Sequence, residues 1–143
     1  MNLSARNQLK ATVAAVKKGA VNDEVSLRLA DGTTLTSIIT ETSCESLGLK
    51  EGVEAYAVIK ATNVMIGDLD DGGLRLSARN QLKGVVDAVK DGMVNCEVDL
   101  TLAGGEKITS VITMSSAKRL ALAPGKEVRA VIKASDIMVG VKA

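Results

Sequence analysis

The sequence predicts an all-β protein built as two tandem five-stranded barrels, each carrying one short helix. Three observations lead there. The stretch Ser-Ala-Arg-Asn-Gln-Leu-Lys occurs at 4–10 and again at 77–83, and the rest of the chain follows the same offset of 73 residues without a gap. Within each copy, short apolar–polar alternations are separated by glycine-bearing turns, the pattern of half-buried strands. Aromatic residues make up 1% of the 143, with one Tyr and no Phe or Trp, so the core must come from Val, Leu, Ile, Ala and Met. Roughly half of the paired positions are identical, as in one small domain duplicated in tandem. The division that follows is a first domain at 1–67, a linker at 68–73 and a second domain at 74–143.

The first element, Leu3 to Lys18, has enough Ala and Lys for a helix. Leu9, Ala11, Val13 and Ala15 alternate, however, and the second copy reads Lys83-Gly84-Val85-Val86, which weakens a helix. A long strand is expected, with Ser4 and Arg6 on one face and Ala5 and Asn7 on the other. Gly19 and Gly92 mark a turn. Strand two follows, with Val21, Val25, Leu27 and Leu29 apolar in copy one and Val94, Cys96, Val98, Leu100 and Leu102 in copy two. Asp31-Gly32 and Gly104-Gly105 are hairpin signals into strand three. Thr42 with Glu45 forms a capping-box pattern for a helix of one or two turns; copy two has Lys118 in place of the glutamate. Lys50-Glu51-Gly52 and Ala123-Pro124-Gly125 turn into strand four, where Val53, Ala55, Ala57 and Ile59 alternate, and a short strand five covers Val64 to Ile66. Asp68 to Gly73 has no counterpart after the second copy and reads as the linker. Three strands, a small helix and two strands match an OB-like Greek-key barrel.

Composition narrows the function. Lys and Arg number 18 against 17 Asp and Glu, a net charge of +1. A nucleic-acid binder usually has a basic surplus and, for single strands, aromatic platforms; neither is present. The chain has no His, which removes the most common catalytic base and transition-metal ligand. Cys44 and Cys96 stand opposite Ala117 and Asp23 in the repeat, so they form no repeated metal clip, and they suggest a reducing compartment. The start lacks the basic and apolar regions of a secretory signal, and no apolar run approaches membrane-spanning length. The expectation is a cytoplasmic, non-enzymatic protein with no membrane and no nucleic acid among its partners. Units of about 70 residues lie near the lower limit for a self-sufficient core, so self-association is expected as well.

Candidate site residues follow from the repeated motif. Ser4 with Arg6, and Ser77 with Arg79, bring a hydroxyl and a planar cationic donor fork together, a pairing suited to a small tetrahedral oxyanion. The alternative is two ordinary solvated strand residues. Lys60 and Lys133 end the apolar runs of strand four, where a lysine also simply leaves the sheet for water. Thr40 with Ser43, and Thr113 with Ser116, precede the helix, where capping is the plain role and anion binding the other. No nucleophile–base pair, phosphate-binding loop or acidic dyad can be assembled.

These motifs, SARNQLK with the following Ala11 or Gly84, the Val-Asn-x-Glu-Val of strand two, Thr40 with Ser43, and Val58-Ile59-Lys60-Ala61, together resemble the molybdate-binding Mop domains, or molbindins. The resemblance spans both copies. It implies OB-like barrels in intertwined oligomers, here a homotrimer, with molybdate or tungstate held at interfaces by hydrogen bonds and no cofactor, for intracellular molybdenum storage and homeostasis. By resemblance the main sites use Ser4, Ala5, Arg6, Asn7, Lys60 and Ala61 with Thr40 and Ser43 from a neighbouring domain, and Ser77, Ala78, Arg79, Asn80, Lys133 and Ala134 with Thr113 and Ser116. It also implies a second site type near the threefold axis. Ala11 replaces the family's usual Gly, and Thr62 faces Ser135 in the repeat, so the two sites are expected to differ. The competing expectation is an OB-type module that binds nucleic acid or a protein partner.

Overall fold

The computed structural model describes residues 2–70 and 72–143; Asp71, inside the expected linker, lies outside the described residues. The first repeat forms β1 (Asn7–Lys17), β2 (Asn22–Leu29), β3 (Thr34–Thr40), α1 (Glu41–Ser46), β4 (Glu54–Ile59) and β5 (Met65–Gly67). The second forms β6 (Asn80–Asp91), β7 (Asn95–Leu102), β8 (Lys107–Thr113), α2 (Met114–Arg119), β9 (Glu127–Ile132) and β10 (Met138–Gly140). One-turn 3-10 helices, Ala61–Asn63 and Ala134–Asp136, lead into β5 and β10. The expected all-β class and element order are both present.

The long first strand is the hub of each sheet. Residues 7–12 of β1 pair with β4, and residues 11–17 pair with β2. The register slips by one residue between Val13 and Ala15, and again between Val86 and Ala88 in β6. Such a bulge bends the strand and changes which side chains face inward. Leu9, Ala11 and Val13 are buried, but beyond the bulge Val16, not the expected Ala15, packs on the core. The strand is also shorter than expected: it starts at Asn7, and Ser4 to Arg6 approach it as an irregular segment. The turn glycines are obligatory, since a Cβ at Gly19 would lie 2.2 Å from the Asn22 carbonyl oxygen and one at Gly92 would lie 2.4 Å from that of Asn95.

Both helices form, but not through the expected box. Thr40 is the N-cap of α1, its hydroxyl accepting from the Ser43 N–H at 3.1 Å, and Thr113 does the same for α2 through Ser116. Because Thr40 and Ser43 recur as Thr113 and Ser116, the second helix forms without a glutamate at position 118.

The strand order shows what the repeat alone did not. The two sheets run β10-β4-β1-β2-β3 and β5-β9-β6-β7-β8. Each therefore takes four strands from one repeat and its short edge strand from the other: Met65–Gly67 pairs with β9, and Met138–Gly140 pairs with β4. Val64 and Ile137, at the entries to the exchanged strands, are buried. Buried serines hold these entries in place: Ser110 on β8 donates to the Val64 carbonyl and Ser37 on β3 to that of Ile137. These bonds also bring the two ends of each curled sheet together. The buried side chains of both halves form one continuous cluster that includes Leu27, Leu35, Ile59, Leu100, Ile132 and Ile137. Residues 68–73 link the repeats in sequence, and Lys126 and Arg129 reach Asp68 and the Leu69 carbonyl across this segment.

The halves differ under their first turns. Asp23 is buried and accepts from Lys18 Nζ and the Gly19 N–H, both at 3.1 Å; the repeat has Cys96 and Asp91 in place of Asp23 and Lys18. Desolvation pushes the Asp23 carboxyl up, but the Gly19 N–H, Lys18 and the Cys44 thiol outweigh it and leave the group below its ordinary value. A depressed carboxyl adds stability above the unfolded-state value of about 3.9 and loses it as pH falls through the folded one. Acid unfolding should therefore be shallower for Asp23→Asn than for the wild type below about pH 4. An identical pH profile of the chemical-denaturation midpoint would exclude Asp23 from that acid response. Ser37→Ala and Ser110→Ala should each cost about 1–3 kcal/mol in urea unfolding, because a buried carbonyl loses its donor; unchanged midpoints would show that the hydroxyls do not hold the exchanged segments.

Candidate anion-binding site

The repeated motif opens each half on a bent segment whose shape is fixed by its own glutamine. Gln8 Nε2 donates back to the carbonyls of Leu3 (3.2 Å) and Ala5 (3.0 Å), and Gln81 does the same to Leu76 (3.3 Å) and Ala78 (2.9 Å). Asn7 then anchors the segment to the opposite half. Its Nδ2 donates to the Ile59 carbonyl at 3.2 Å and the Thr109 carbonyl at 2.8 Å, while its Oδ1 accepts from the Thr109 N–H at 2.7 Å. Asn80 makes the reciprocal set with Ile132 and Thr36. The side-chain amide thus pairs with the backbone of β8 or β3 as a peptide group would in a sheet ladder, and both asparagines are buried.

On the open side of this clamp lies a cavity of about 410 Å³, lined by Ser4, Ala5, Arg6, Lys60, Ala61 and Thr62. Its apolar wall joins Leu3 of the first repeat to two residues of the second, Val111 on β8 and Met138 on the exchanged β10. The mirror cavity, about 370 Å³, is lined by Ser77, Ala78, Arg79, Lys133, Ala134 and Ser135, with Ile38 and Met65 from the first repeat. Each cavity therefore needs both halves. A hydroxyl, a guanidinium and an ammonium on one small concavity give two fixed positive charges and directional donors, the means to hold a small dianion through its oxygens.

Of the residues expected by sequence, Ser4, Ala5, Arg6, Lys60 and Ala61 converge, as do Ser77, Ala78, Arg79, Lys133 and Ala134. Asn7 and Asn80 lie behind them as anchors, their amides fully engaged. Thr40 with Ser43, and Thr113 with Ser116, line neither cavity; each pair caps its helix, with hydroxyls 2.8 and 2.9 Å apart. Sequence reasoning did not single out Met65, Met138, Val111 or Ile38, whose positions depend on the exchange. It also passed over Glu24 and Glu97. Arg79 holds Glu24 through two hydrogen bonds, 2.7 and 3.2 Å, and Arg6 pairs with Glu97. These glutamates belong to the repeated Val-Asn-x-Glu, a signal that was available in the sequence. Arg79 holds the Glu24 carboxyl below the usual carboxylate range. Lys90, and then Arg6, do the same to Glu97 against desolvation.

Comparisons agree with this architecture. The model of the TOBE domain matches residues 3–66 and again 76–139. The molybdenum-pterin-binding protein MopA of Rhodobacter capsulatus is 49% identical over 138 residues, 96% of this chain and 52% of its own length. The molybdenum transport protein ModE of Azotobacter vinelandii is 40% identical over 141 residues, 99% of this chain and 52% of its own. The chain thus spans about half the length of these two relatives. Molybdenum-pterin-binding protein 3 of Clostridium pasteurianum matches a single repeat, at 61% identity over 66 residues, 46% of this chain and 97% of its own. Among solved structures, the cytoplasmic molybdate-binding protein ModG with molybdate bound superposes with a TM-score of 0.95 at 46% identity, covering 99% of this chain and 100% of that one.

Proposed function

Because the chain belongs to the TOBE-domain family, as a tandem pair of Mop-type repeats, we propose that it is a non-enzymatic protein that binds molybdate, and tungstate by the same chemistry. The observation that carries this reading is the convergence of Ser4, Arg6 and Lys60, and of Ser77, Arg79 and Lys133, on two small cavities. Relatives named for molybdenum-pterin binding support the choice of element, and a like structure described with molybdate bound supports the choice of anion. The anion is held by hydrogen bonds and fixed charge and released unchanged, which suits storage and homeostasis in the cytoplasm.

The site is completed by self-association, in this reading as a homotrimer. Thr40, Ser43 and Thr113 are exposed and Ser116 half-buried, hydroxyl-bearing residues that a single chain leaves away from its own cavities. A neighbouring copy could present them. Val21, Met93 and Val94, which flank the first turns, are 70%, 100% and 72% exposed, the kind of apolar surface an interface covers.

Titration calorimetry with molybdate should give heat at micromolar protein; no heat would end this reading. Affinity should be nearly flat between about pH 6 and 8, since the chain has no histidine and the glutamates paired with the arginines are held below their ordinary values. Replacing Arg6 and Arg79 together by Gln should weaken binding roughly ten- to a hundredfold per cavity, the equivalent of one charge-assisted hydrogen bond. Unchanged affinity would remove both arginines from the site. Sedimentation equilibrium should report three chains per particle at micromolar concentration, and a stable monomer would contradict the assembly.

A further inference from the structure

Each cavity arginine is already engaged by a carboxylate of the opposite half, and the two engagements differ. Arg79 and Glu24 meet as fork and carboxylate, each nitrogen on its own oxygen. Among the described residues no other cation forms an ion pair with Glu24; Lys17 acts on it only through space. Arg6 uses a single nitrogen on Glu97 Oε1, while Lys90 Nζ holds Glu97 Oε2 at 3.2 Å. Lys90 in turn lies 3.4 Å from Asp99, where the first repeat has Ser26. Arg6 stands between two concavities. One, of about 410 Å³, holds Ser4 and Lys60; the other, of about 510 Å³, holds Glu97, Lys90 and Asp99.

A carboxylate and an oxyanion are both anionic acceptors, and sharing one guanidinium face would put two negative charges in contact. We propose that Glu24 and Glu97 are internal competitors for the arginines, which the incoming oxyanion must displace, and that they make the two cavities unequal. Displaced from Arg6, Glu97 keeps the ammonium of Lys90. Displaced from Arg79, Glu24 keeps no hydrogen-bonded cation. The Arg6 cavity is therefore the easier to open and fills first. Glu24 and Glu97 set affinity without belonging to the donor set. The inference rests on the reading of these cavities as oxyanion sites.

The test is calorimetric titration of the full chain with molybdate. Arg79→Gln isolates the Arg6 cavity, and Arg6→Gln isolates the Arg79 cavity. The first variant should bind more tightly than the second. Adding Glu24→Gln to the Arg6→Gln background should tighten binding about two- to fivefold, the range of a partly exposed ion pair. Adding Glu97→Gln to the Arg79→Gln background should give a smaller gain. Glu54→Gln, which removes a surface charge paired with Lys10 at 3.5 Å, serves as the control for net charge. Weakened or unchanged affinity in both glutamate variants would show that the carboxylates orient the arginines rather than compete for them. An equal gain from Glu54→Gln would assign the effect to net charge and overturn the proposal as well. A wild-type chain that gives no heat with molybdate overturns the oxyanion reading and this inference together; a wild type that binds, with no gain in the variants, overturns this inference alone.

Discussion

The exchange of the three-residue edge strands is the constraint on which the rest depends. A sheet edge left open exposes a row of unpaired backbone groups, and each half closes one of its edges with chain from the other. To reach that edge the chain must leave β4 at Lys60, turn once through Ala61–Asn63 and cross. The crossing point is therefore where a lysine and a bent backbone face the opposite half, and that is where the cavity lies. The asparagine clamps and the buried serines act at the same seam, so the two halves share hydrogen bonds and core as well as an edge. Two small barrels with a single aromatic side chain between them gain from this the burial that neither could supply alone.

The seam is nearly symmetric: Asn7 with Thr109 matches Asn80 with Thr36, and Arg6 with Glu97 matches Arg79 with Glu24. Such reciprocity is the mark of an isologous contact. At the hairpins the symmetry is broken. Asp31 accepts from its own turn at the Thr33 N–H (2.8 Å) and from the other hairpin at the Glu106 N–H (3.0 Å). Its repeat partner is Gly104, where a Cβ would sit 2.6 Å from the Asp31 carboxylate oxygen. Two aspartates there would repel and two glycines would make no such bond. This contact uses two different residues at equivalent positions, so it is available to a tandem chain and closed to a pair of identical halves.

The order of elements along the chain, the hairpins and the Ser–Arg–Lys grouping were legible because each rests on local pattern reinforced by repetition. The segment 4–6 is an instance: it is not the expected strand, yet Ser4 and Arg6 still share one cavity, because Gln8 and Asn7 in the same motif fix its path. The helix cap was misplaced by two residues, although the internal comparison pointed to Thr40, which recurs, rather than Glu45, which does not. The exchange was not legible. Residues 57–61 and 130–134 carry the same Ala-Val-Ile-Lys-Ala, so either sheet offers a short strand the same edge sequence. Local propensity cannot choose between equal partners; the tertiary seating of Val64 and Ile137 decides.

Duplication inside one chain also changes what can evolve at the cavities. Identical subunits would keep every copy of a site alike, whereas a tandem pair can move one half away from the other. The set that lines the cavities has barely moved: Ser, Ala, Arg, Lys and Ala stand in both copies, with Thr62 opposite Ser135. The divergence lies one layer out. Lys90 holds Glu97 and Asp99, and Lys107 approaches Asp87; the first half has Ser26, Thr34 and Ala14 at the positions of Asp99, Lys107 and Asp87. Donor geometry fixes which anion fits, so it tolerates little change. The charges around those donors set how firmly each arginine is held, and a half can alter them without disturbing the donors themselves.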